Sequence, residues 1–248
     1  MENHTASQIV GRPGQAPFLD TLASTYGLAT DYRAITHPSE PNYLALTSGG
    51  TQGVTDDDVH DLDAPSLFSQ LGSRWRAWQQ DYPVGEGCFT GAKASGPVDL
   101  VGLAGTYVRK HDPAISYRSV SGDRGQCALI QPLAGFDPAA AAFALITPNL
   151  ENDMHDGTVA EGDAFLRAFV PRITGSAAFA GGGVLLITFD EGAGTDNHVA
   201  TVMVRAGMPH GFRATAPADH YSLLRTTEDL LGLPCLGAAC SRAPIPMG

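Results

Sequence analysis

Apolar residues recur along the chain with two different spacings, and the alternation between them sets the fold class. In Pro17-Phe-Leu-Asp-Thr-Leu-Ala-Ser-Thr-Tyr-Gly27 they fall at Phe18, Leu19, Leu22, Ala23 and Tyr26. This is the 3.6-residue period of a helix, with Gly27 as its stop. Ala29 to Thr36 reads as a short strand entering the loop His37 to Asn42, and Tyr43 to Gly49 as a helical turn, so Ser39 sits between a strand and a helix. Ala64 to Leu71 predicts a short helix with a proline near its start, and Arg74-Trp-Arg-Ala-Trp-Gln79 a strand.

From Pro83 to about Gly105 the chain turns to Gly, Ser and Pro with few large apolar residues, an excursion from the core. Excursions of that length inside a domain tend to be functional or mobile. Ala139 to Ile146 ends in a buried strand stopped by Thr147-Pro-Asn149, followed by the polar loop Leu150 to Gly157. Gly162 to Ile173 predicts a helix with Phe165, Leu166, Phe169 and Ile173 inward. Gly183-Val-Leu-Leu-Ile-Thr-Phe189 is the clearest strand and runs into Asp190-Glu191-Gly192. Val199 to Val204 is a further strand and Ser222 to Leu233 a closing helix.

Apolar strands that alternate with helices describe a mostly parallel central sheet with helices on both faces, an α/β fold. Ligands in such sheets bind beyond the carboxyl ends of the strands. Ser39, Asn149 and Asp190-Glu191 each follow a strand end, so all are expected at one crevice. With no internal repeat and no second core in the pattern, the reading is one domain over residues 1–248 with a Gly/Ser/Pro-rich excursion at about 83–127.

Composition narrows the partners. The chain has 248 residues, 43% of them hydrophobic, enough for a sizeable core, and a formal net charge of −11. A negative surface field makes nucleic acid and anionic membrane poor default partners. No apolar run is long enough to span a bilayer, and Met1-Glu-Asn-His4 opens on polar residues with no secretory signal. The four cysteines lack CxxC spacing, which disfavours a zinc knuckle. Cys235 and Cys240 bracket a four-residue loop whose ends can meet, leaving Cys88 with Cys127; four buried thiols are the alternative. Two disulfides would imply an oxidising compartment.

Candidate chemistry begins with absences: no Gly-x-Ser-x-Gly elbow, no P-loop and no dinucleotide fingerprint. What remains is oxygen and nitrogen donors at strand ends. Asp190-Glu191 suits a divalent cation, although an isolated Asp-Glu pair also caps turns. His155 and His198 lie in polar loops, where a lone histidine is ordinarily a surface residue. Ser39, held between Pro38 and Pro41, is a weak nucleophile unless a base or metal activates it.

Taken in order, Met1-Glu-Asn-His4, Tyr26-Gly-Leu-Ala-Thr30, Thr36-His-Pro-Ser-Glu-Pro-Asn-Tyr-Leu-Ala-Leu-Thr-Ser-Gly49, Lys110-His-Asp-Pro-Ala114, Thr147-Pro-Asn-Leu-Glu-Asn-Asp-Met-His-Asp156, Thr188-Phe-Asp-Glu-Gly192 and His220-Tyr-Ser-Leu-Leu-Arg225 resemble the bacterial phosphoesterase family. That family contains secreted acid phosphatases and phosphatidylinositol-phosphate phosphatases, is related to phospholipase C, and belongs to the alkaline phosphatase superfamily. The resemblance implies a phosphate monoester hydrolase with Ser39 as nucleophile, passing through a phosphoserine. It implies one divalent metal ion held by Glu2, Asn3, Asp190 and Glu191. Asn42, His111, His37 and Asn149 are implied as substrate-binding residues and His155 and His198 as catalytic ones.

Protonated histidines in place of a second cation imply an acidic optimum, since imidazole loses its charge near about pH 6.5. The substrate is expected to be a small-molecule or lipid-headgroup phosphate ester. A phosphodiesterase or phospholipase C using the same site is the alternative within enzymes, and a catalytically silent binding protein the alternative outside them. Members of the family carry a hydrophobic strand, and a signal peptide before it, upstream of Glu-Asn-His. The resemblance therefore implies a secreted or cell-envelope parent protein, and either a missing first central strand or another segment in its slot.

Overall fold

A computed structural model describes all residues except 13, 84, 86 and 99–103. Its described strands, in chain order, are β1 Gly27–Ala29, β2 Tyr32–Arg33, β3 Trp75–Gln79, β4 Lys93–Val98, β5 Ala104–Val108, β6 Ile130–Pro132, β7 Phe143–Thr147, β8 Val184–Thr188, β9 Thr201–Arg205, β10 Phe212–Ala214 and β11 Ala218–Asp219. The architecture is mixed α/β. One sheet has the order β10-β1-β9-β8 and a second the order β6-β3-β7. The second is parallel throughout, whereas β9 runs antiparallel to both β1 and β8. The strands are mostly parallel, as expected, and β9 is an antiparallel exception: the loop 189–200 that joins it to β8 carries no helix to make a parallel crossover.

The helices form where the apolar spacing places them. Pro17–Thr25 opens with Pro at its first turn. Its first amides are satisfied from another helix, with Asp163 accepting Phe18 N–H at 3.0 Å and Leu19 N–H at 2.9 Å. Asp163 belongs to Val159–Thr174, which Thr158 and Glu161 close with a reciprocal capping box. Ser39–Ser48 is a full helix rather than the single turn the spacing from Tyr43 suggested. It ends at Gly49, whose φ of 72° is left-handed. A side chain there would also meet the Leu236 carbonyl at 2.1 Å. His220–Leu231 packs against this helix.

The excursion at 83–105 contains an antiparallel hairpin, β4 with β5, which its Gly/Ser composition concealed. Both disulfides form in the expected pairing, Cys88 with Cys127 and Cys235 with Cys240. Among the described residues no helix is long and apolar enough to cross a membrane.

Buried apolar residues fall into three clusters rather than one. The largest joins β8, β9 and the helices Pro17–Thr25 and Val159–Thr174, and another surrounds β3. The division follows the split in the sheet. β7 pairs only with β3 and β8 only with β9, and no described strand lies between them. Instead both line an apolar cleft of about 530 Å³.

The Asp163 contact supplies a test. Asp163→Ala removes two hydrogen bonds to a carboxylate at a helix N-terminus, a loss of about 2–3 kcal/mol. The expected result is a melting temperature lower by roughly 4–10 °C in thermal unfolding followed by circular dichroism.

Candidate active site

Ser39 is the first residue of its helix and is buried. The approach to it is built by Asn42, one turn later. Asn42 Oδ1 accepts the Ile35 and Thr36 amides, each at 3.0 Å, and its Nδ2 donates to the Thr36 and Pro38 carbonyls at 2.9 and 3.0 Å. Both Asn42 N–H groups are thus spent on the loop that presents Ser39. A contact from Asn42 to a phosphate oxygen, expected from the resemblance, would require one of these bonds to be given up. Asn197 holds the loop from the other side, donating to Thr36 and accepting Gly192 N–H.

Glu2 is where the site converges. Fully buried, it accepts the Ser39 hydroxyl at 3.2 Å on Oε2 and the Tyr43 hydroxyl on Oε1. His111 Nε2 lies 3.2 Å from the same Oε2, while its Nδ1 is 3.0 Å from Asp153 Oδ2. The Glu2 main chain is fixed too, its N–H donating to Asp153 O at 2.8 Å. Burial, followed by the charges of Asp190 and Asp153, raises the Glu2 carboxyl well above its usual range. Burial pushes Asp153 up to about 7. It also drives the His111 imidazole well below its ordinary value, which keeps the ring neutral.

Asp190 completes the group. Its Oδ1 accepts Asn3 N–H at 3.2 Å, an arrangement served by the left-handed φ of 55° at Asn3, a conformation asparagine tolerates. Its Oδ2 is buried without a partner, as is His111 Nε2. The Asp190 carbonyl accepts His220 Nε2 at 2.6 Å, and His220 Nδ1 meets the Tyr32 hydroxyl at 2.8 Å. His220 was quoted in a motif but given no role; here it anchors the strand end that carries Asp190.

The rim is more open. Glu191 binds His37 Nδ1, and burial followed by the Asp190 charge raises its carboxyl. Lys110 Nζ donates to Asp57 at 2.8 Å and lies 3.3 Å from His155 Nε2. Burial alone would lower the Lys110 pKa, but the hydrogen bond and charge of Asp57 outweigh it and hold the amine cationic. His155 Nδ1 is 2.7 Å from Asp156, and the His155 and His111 rings are 5.5 Å apart.

The structure therefore groups Ser39, Glu2, His111, Asp190 and, at the edge, Asn3, Glu191, His37 and His155. It does not bring His198 or Asn149 into contact with them. His198 Nε2 meets the Thr30 carbonyl at 3.1 Å. Asn149 Nδ2 donates to Asp81 at 2.7 Å, and its carbonyl accepts Asp153 N–H, so it shapes the loop that delivers Asp153. Sequence reasoning missed Asp153, Tyr43 and Lys110. Asp153 and Lys110 stand inside quoted motifs, each beside a histidine that drew the assignment. Tyr43 also stands inside a quoted motif, next to Asn42, and was given no role.

A divalent cation fits this pocket. Glu2, His111 and Asp153 each offer a ligand atom, all within 4.8 Å of one another. The unpartnered Asp190 Oδ2 is a fourth candidate donor. A neutral imidazole with carboxylates is a donor set suited to a divalent transition metal. The sequence-derived set of Glu2, Asn3, Asp190 and Glu191 shares Glu2 with this triad, but Glu191 is engaged by His37 and Asn3 reaches the group through its main chain.

A family model described as the Phosphoesterase family matches residues 10–234. The phosphatidylinositol-3-phosphatase of Mycobacterium tuberculosis is 33% identical over 98% of this chain and 79% of its own length. The acid phosphatase of Aspergillus fumigatus is 30% identical over 87% of this chain, and the phosphate-repressible acid phosphatase of Penicillium chrysogenum 31% over 88%. The chain spans about half the length of these fungal relatives, 51% and 55%. Among solved structures, a protein in the alkaline phosphatase superfamily from Vibrio parahaemolyticus superposes with a TM-score of 0.57 at 12% identity, covering 99% of this chain and 69% of that one. The phosphonate monoester hydrolase of Silicibacter pomeroyi does so with 0.56 at 12%, covering 94% and 72%. These structural likenesses concern the fold.

The perturbed acids have a consequence for the folded chain. Burial raises Glu40, Asp112, Asp153 and Glu228 each to about 7. A carboxyl raised on folding contributes stability that is full below its unfolded value near about 4 and lost as pH rises through its folded value. His111 and His220 are lowered, chiefly by burial, so their contribution runs the other way and fades as pH falls below about 6.5. The carboxyls outnumber the imidazoles, so the metal-free chain is expected to melt at a higher temperature at pH 5 than at pH 7.5. Thermal scans in chelator across that range check the order.

Proposed function

The chain belongs to the phosphoesterase family and is a phosphoric ester hydrolase; on that premise we propose that it cleaves phosphate monoesters through a covalent phosphoserine on Ser39. The observation that carries this reading is the Ser39 hydroxyl, at the start of a ten-residue helix, donating to buried Glu2 at 3.2 Å. Serine needs an activator to act as a nucleophile, and the helix N-terminus favours the arriving negative charge.

Glu2, His111 and Asp153, with Asp190 facing the same group, would hold a divalent cation, which when bound supplies charge neutralisation and a lowered pKa for a neighbouring hydroxyl. The protein's own part is as follows. Glu2 accepts the Ser39 hydrogen bond and so turns the free lone pairs of Oγ toward phosphorus. Lys110 binds a non-bridging phosphate oxygen. Oγ passes its proton to Glu2 Oε2 and forms a bond to phosphorus as the bond to the leaving oxygen breaks, and His155, oriented by Asp156, protonates that oxygen. In the second half a water forms the new bond to phosphorus as the bond to Oγ breaks, His155 takes the water's proton, and Oγ regains its own from Glu2, which frees Ser39 and inorganic phosphate.

An imidazole serving as general acid fits an acidic working range, as the names of the fungal acid phosphatases suggest for those proteins. The two disulfides are in keeping with an oxidising, secreted setting. The net charge of −11 favours soluble monoesters over headgroups embedded in an anionic bilayer. A phosphoinositide, the substrate named for the mycobacterial relative, is then best reached as a dispersed molecule.

Ser39→Ala is expected to lower kcat on an aryl phosphate at about pH 5–6 by at least ~10³-fold while leaving the circular dichroism spectrum unchanged. An aryl phosphodiester should be turned over far more slowly than the monoester by the unaltered chain. Full activity in a folded Ser39→Ala protein would remove the nucleophile assignment.

Asp153→Asn separates the two candidate ligand groupings. It is expected to reduce bound divalent metal and kcat/KM by roughly 10–100-fold, whereas His198→Ala should change neither by more than about twofold. Metal content by mass spectrometry and steady-state assays on both variants give the comparison.

A further inference from the structure

Acidic residues crowd the loop beside Lys110: Asp56, Asp57, Asp58, Asp61 and Asp63 follow one another closely between the Ser39 helix and Leu67. Such a run repels an anionic substrate, yet the structure holds it firmly in place. The loop lies alongside residues 109–118, with Leu62 N–H donating to Ser116 O at 2.7 Å and Arg118 N–H to Leu62 O at 3.0 Å. Asp61 is 2.7 Å from the buried Arg109 guanidinium and Asp63 3.3 Å from that of Arg118. These pairs fasten the loop to that segment.

Asp57 is placed differently. Its Oδ1 accepts the N–H of Glu40, the residue after Ser39, at 2.9 Å, and its Oδ2 accepts Lys110 Nζ at 2.8 Å. One carboxylate thus joins the first turn of the Ser39 helix to a lysine from another segment. The same Nζ lies 3.3 Å from His155 Nε2. The Asp57 and Lys110 side chains are 28% and 19% exposed, and an ion pair that open to water adds little to stability. What it does supply is direction. Lysine is a point charge on a flexible four-carbon stem, and a group misplaced by about 1 Å at a reacting centre costs on the order of 10²-fold in rate. Asp57 removes that freedom, although its own negative charge then stands beside the amine that the phosphate must reach.

We propose that Asp57 is a positioning residue for the reaction: it aims the Lys110 ammonium at the phosphoryl group attacked by Ser39 and fixes that aim relative to the Ser39 helix. The inference deepens the proposed reaction and rests on Lys110 binding a non-bridging phosphate oxygen there. Of the three N–H groups on Lys110, one goes to Asp57 and one faces His155, which leaves one for substrate. Removing Asp57 therefore has a particular signature. The freed ammonium can follow a bound phosphate in the ground state, and one repelling charge is gone, so affinity for the anion does not fall. The transition state needs the amine in one place and loses that stabilisation. A contact that only held the loop in shape would produce no such split.

Asp57→Asn separates the two bonds, because its amide oxygen still accepts Glu40 N–H while its NH2 cannot accept from Lys110. On an aryl phosphate at about pH 5–6, kcat is expected to fall by roughly 10–100-fold, with the inhibition constant of inorganic phosphate unchanged or lower. Asp57→Ala, which loses both bonds, should match that kcat within about threefold, and the near-isosteric Asn variant guards against a folding failure of the Ala one. In a Lys110→Met chain, adding Asp57→Asn should cost less than about twofold more, because the group it aims is gone. The proposal is overturned by a kcat loss smaller than about 10-fold in Asp57→Asn, by a phosphate inhibition constant that rises with the loss, or by an undiminished cost of Asp57→Asn in the Lys110→Met chain. Unchanged kcat in Lys110→Met overturns it too. Phosphoserine captured by acid quenching is read separately: its absence in the unaltered chain would remove Ser39 as nucleophile, while the Asp57 and Lys110 variants still report on the amine.

Discussion

Three carboxyl groups, Glu2, Asp153 and Asp190, are buried together, one of them bonded to the Ser39 hydroxyl, and this crowding governs the molecule. Burying like charges is expensive unless protons, cations or hydrogen bonds compensate. The compensations present are hydroxyl donors from Ser39 and Tyr43, one neutral imidazole and the Met1 amine nearby. They leave Asp190 Oδ2 and His111 Nε2 unpartnered. A site of this kind opposes folding at neutral pH and gains by taking up positive charge, so what costs stability is also what recognises a cation.

The first two residues link this site to the split in the sheet. The Met1 amine donates to Thr188 O at the end of β8, and the next residue, Glu2, donates its amide to Asp153 in the loop after β7. Consecutive residues thus staple the two half-sheets at the head of the cleft, and the carboxylate between the staples is the one that holds Ser39. Asp153 and His111 approach from the β3/β7 side, Asp190 from the β8 side. Motion across the cleft would be felt first as a change in the distances around Glu2.

The sequence made the frame legible wherever periodicity was strong. Val184–Thr188, Phe143–Thr147 and the amphipathic Pro17–Thr25 and Val159–Thr174 lie where apolar spacing put them, and Ser39 was marked out by its prolines and strand-to-helix position. The β4/β5 hairpin was hidden because β4 carries Gly96 and Pro97 in place of the β-branched alternation that marks a strand. Polar loops gave the poorest reading. Leu150 to Gly157 looks like a solvated turn, yet it buries Asp153 completely. Position after a strand end says that a residue is near the crevice but not where its side chain points. Asn149 and His198 turn away to Asp81 and Thr30, and Asn42 turns back on its own loop. Orientation is settled by tertiary hydrogen bonds that no local spacing encodes.

The Cys88–Cys127 bond, with a sequence separation of 39, encloses the β4/β5 hairpin together with Lys110 and His111. In the oxidised protein this stretch is a closed covalent ring. A single backbone break within it cannot separate the two pieces, which stay covalently joined through the disulfide. Under reducing conditions the same break would leave two chains with no covalent link between them. Whether a nicked chain keeps this half of the site attached therefore depends on the redox state of the surroundings as much as on the fold.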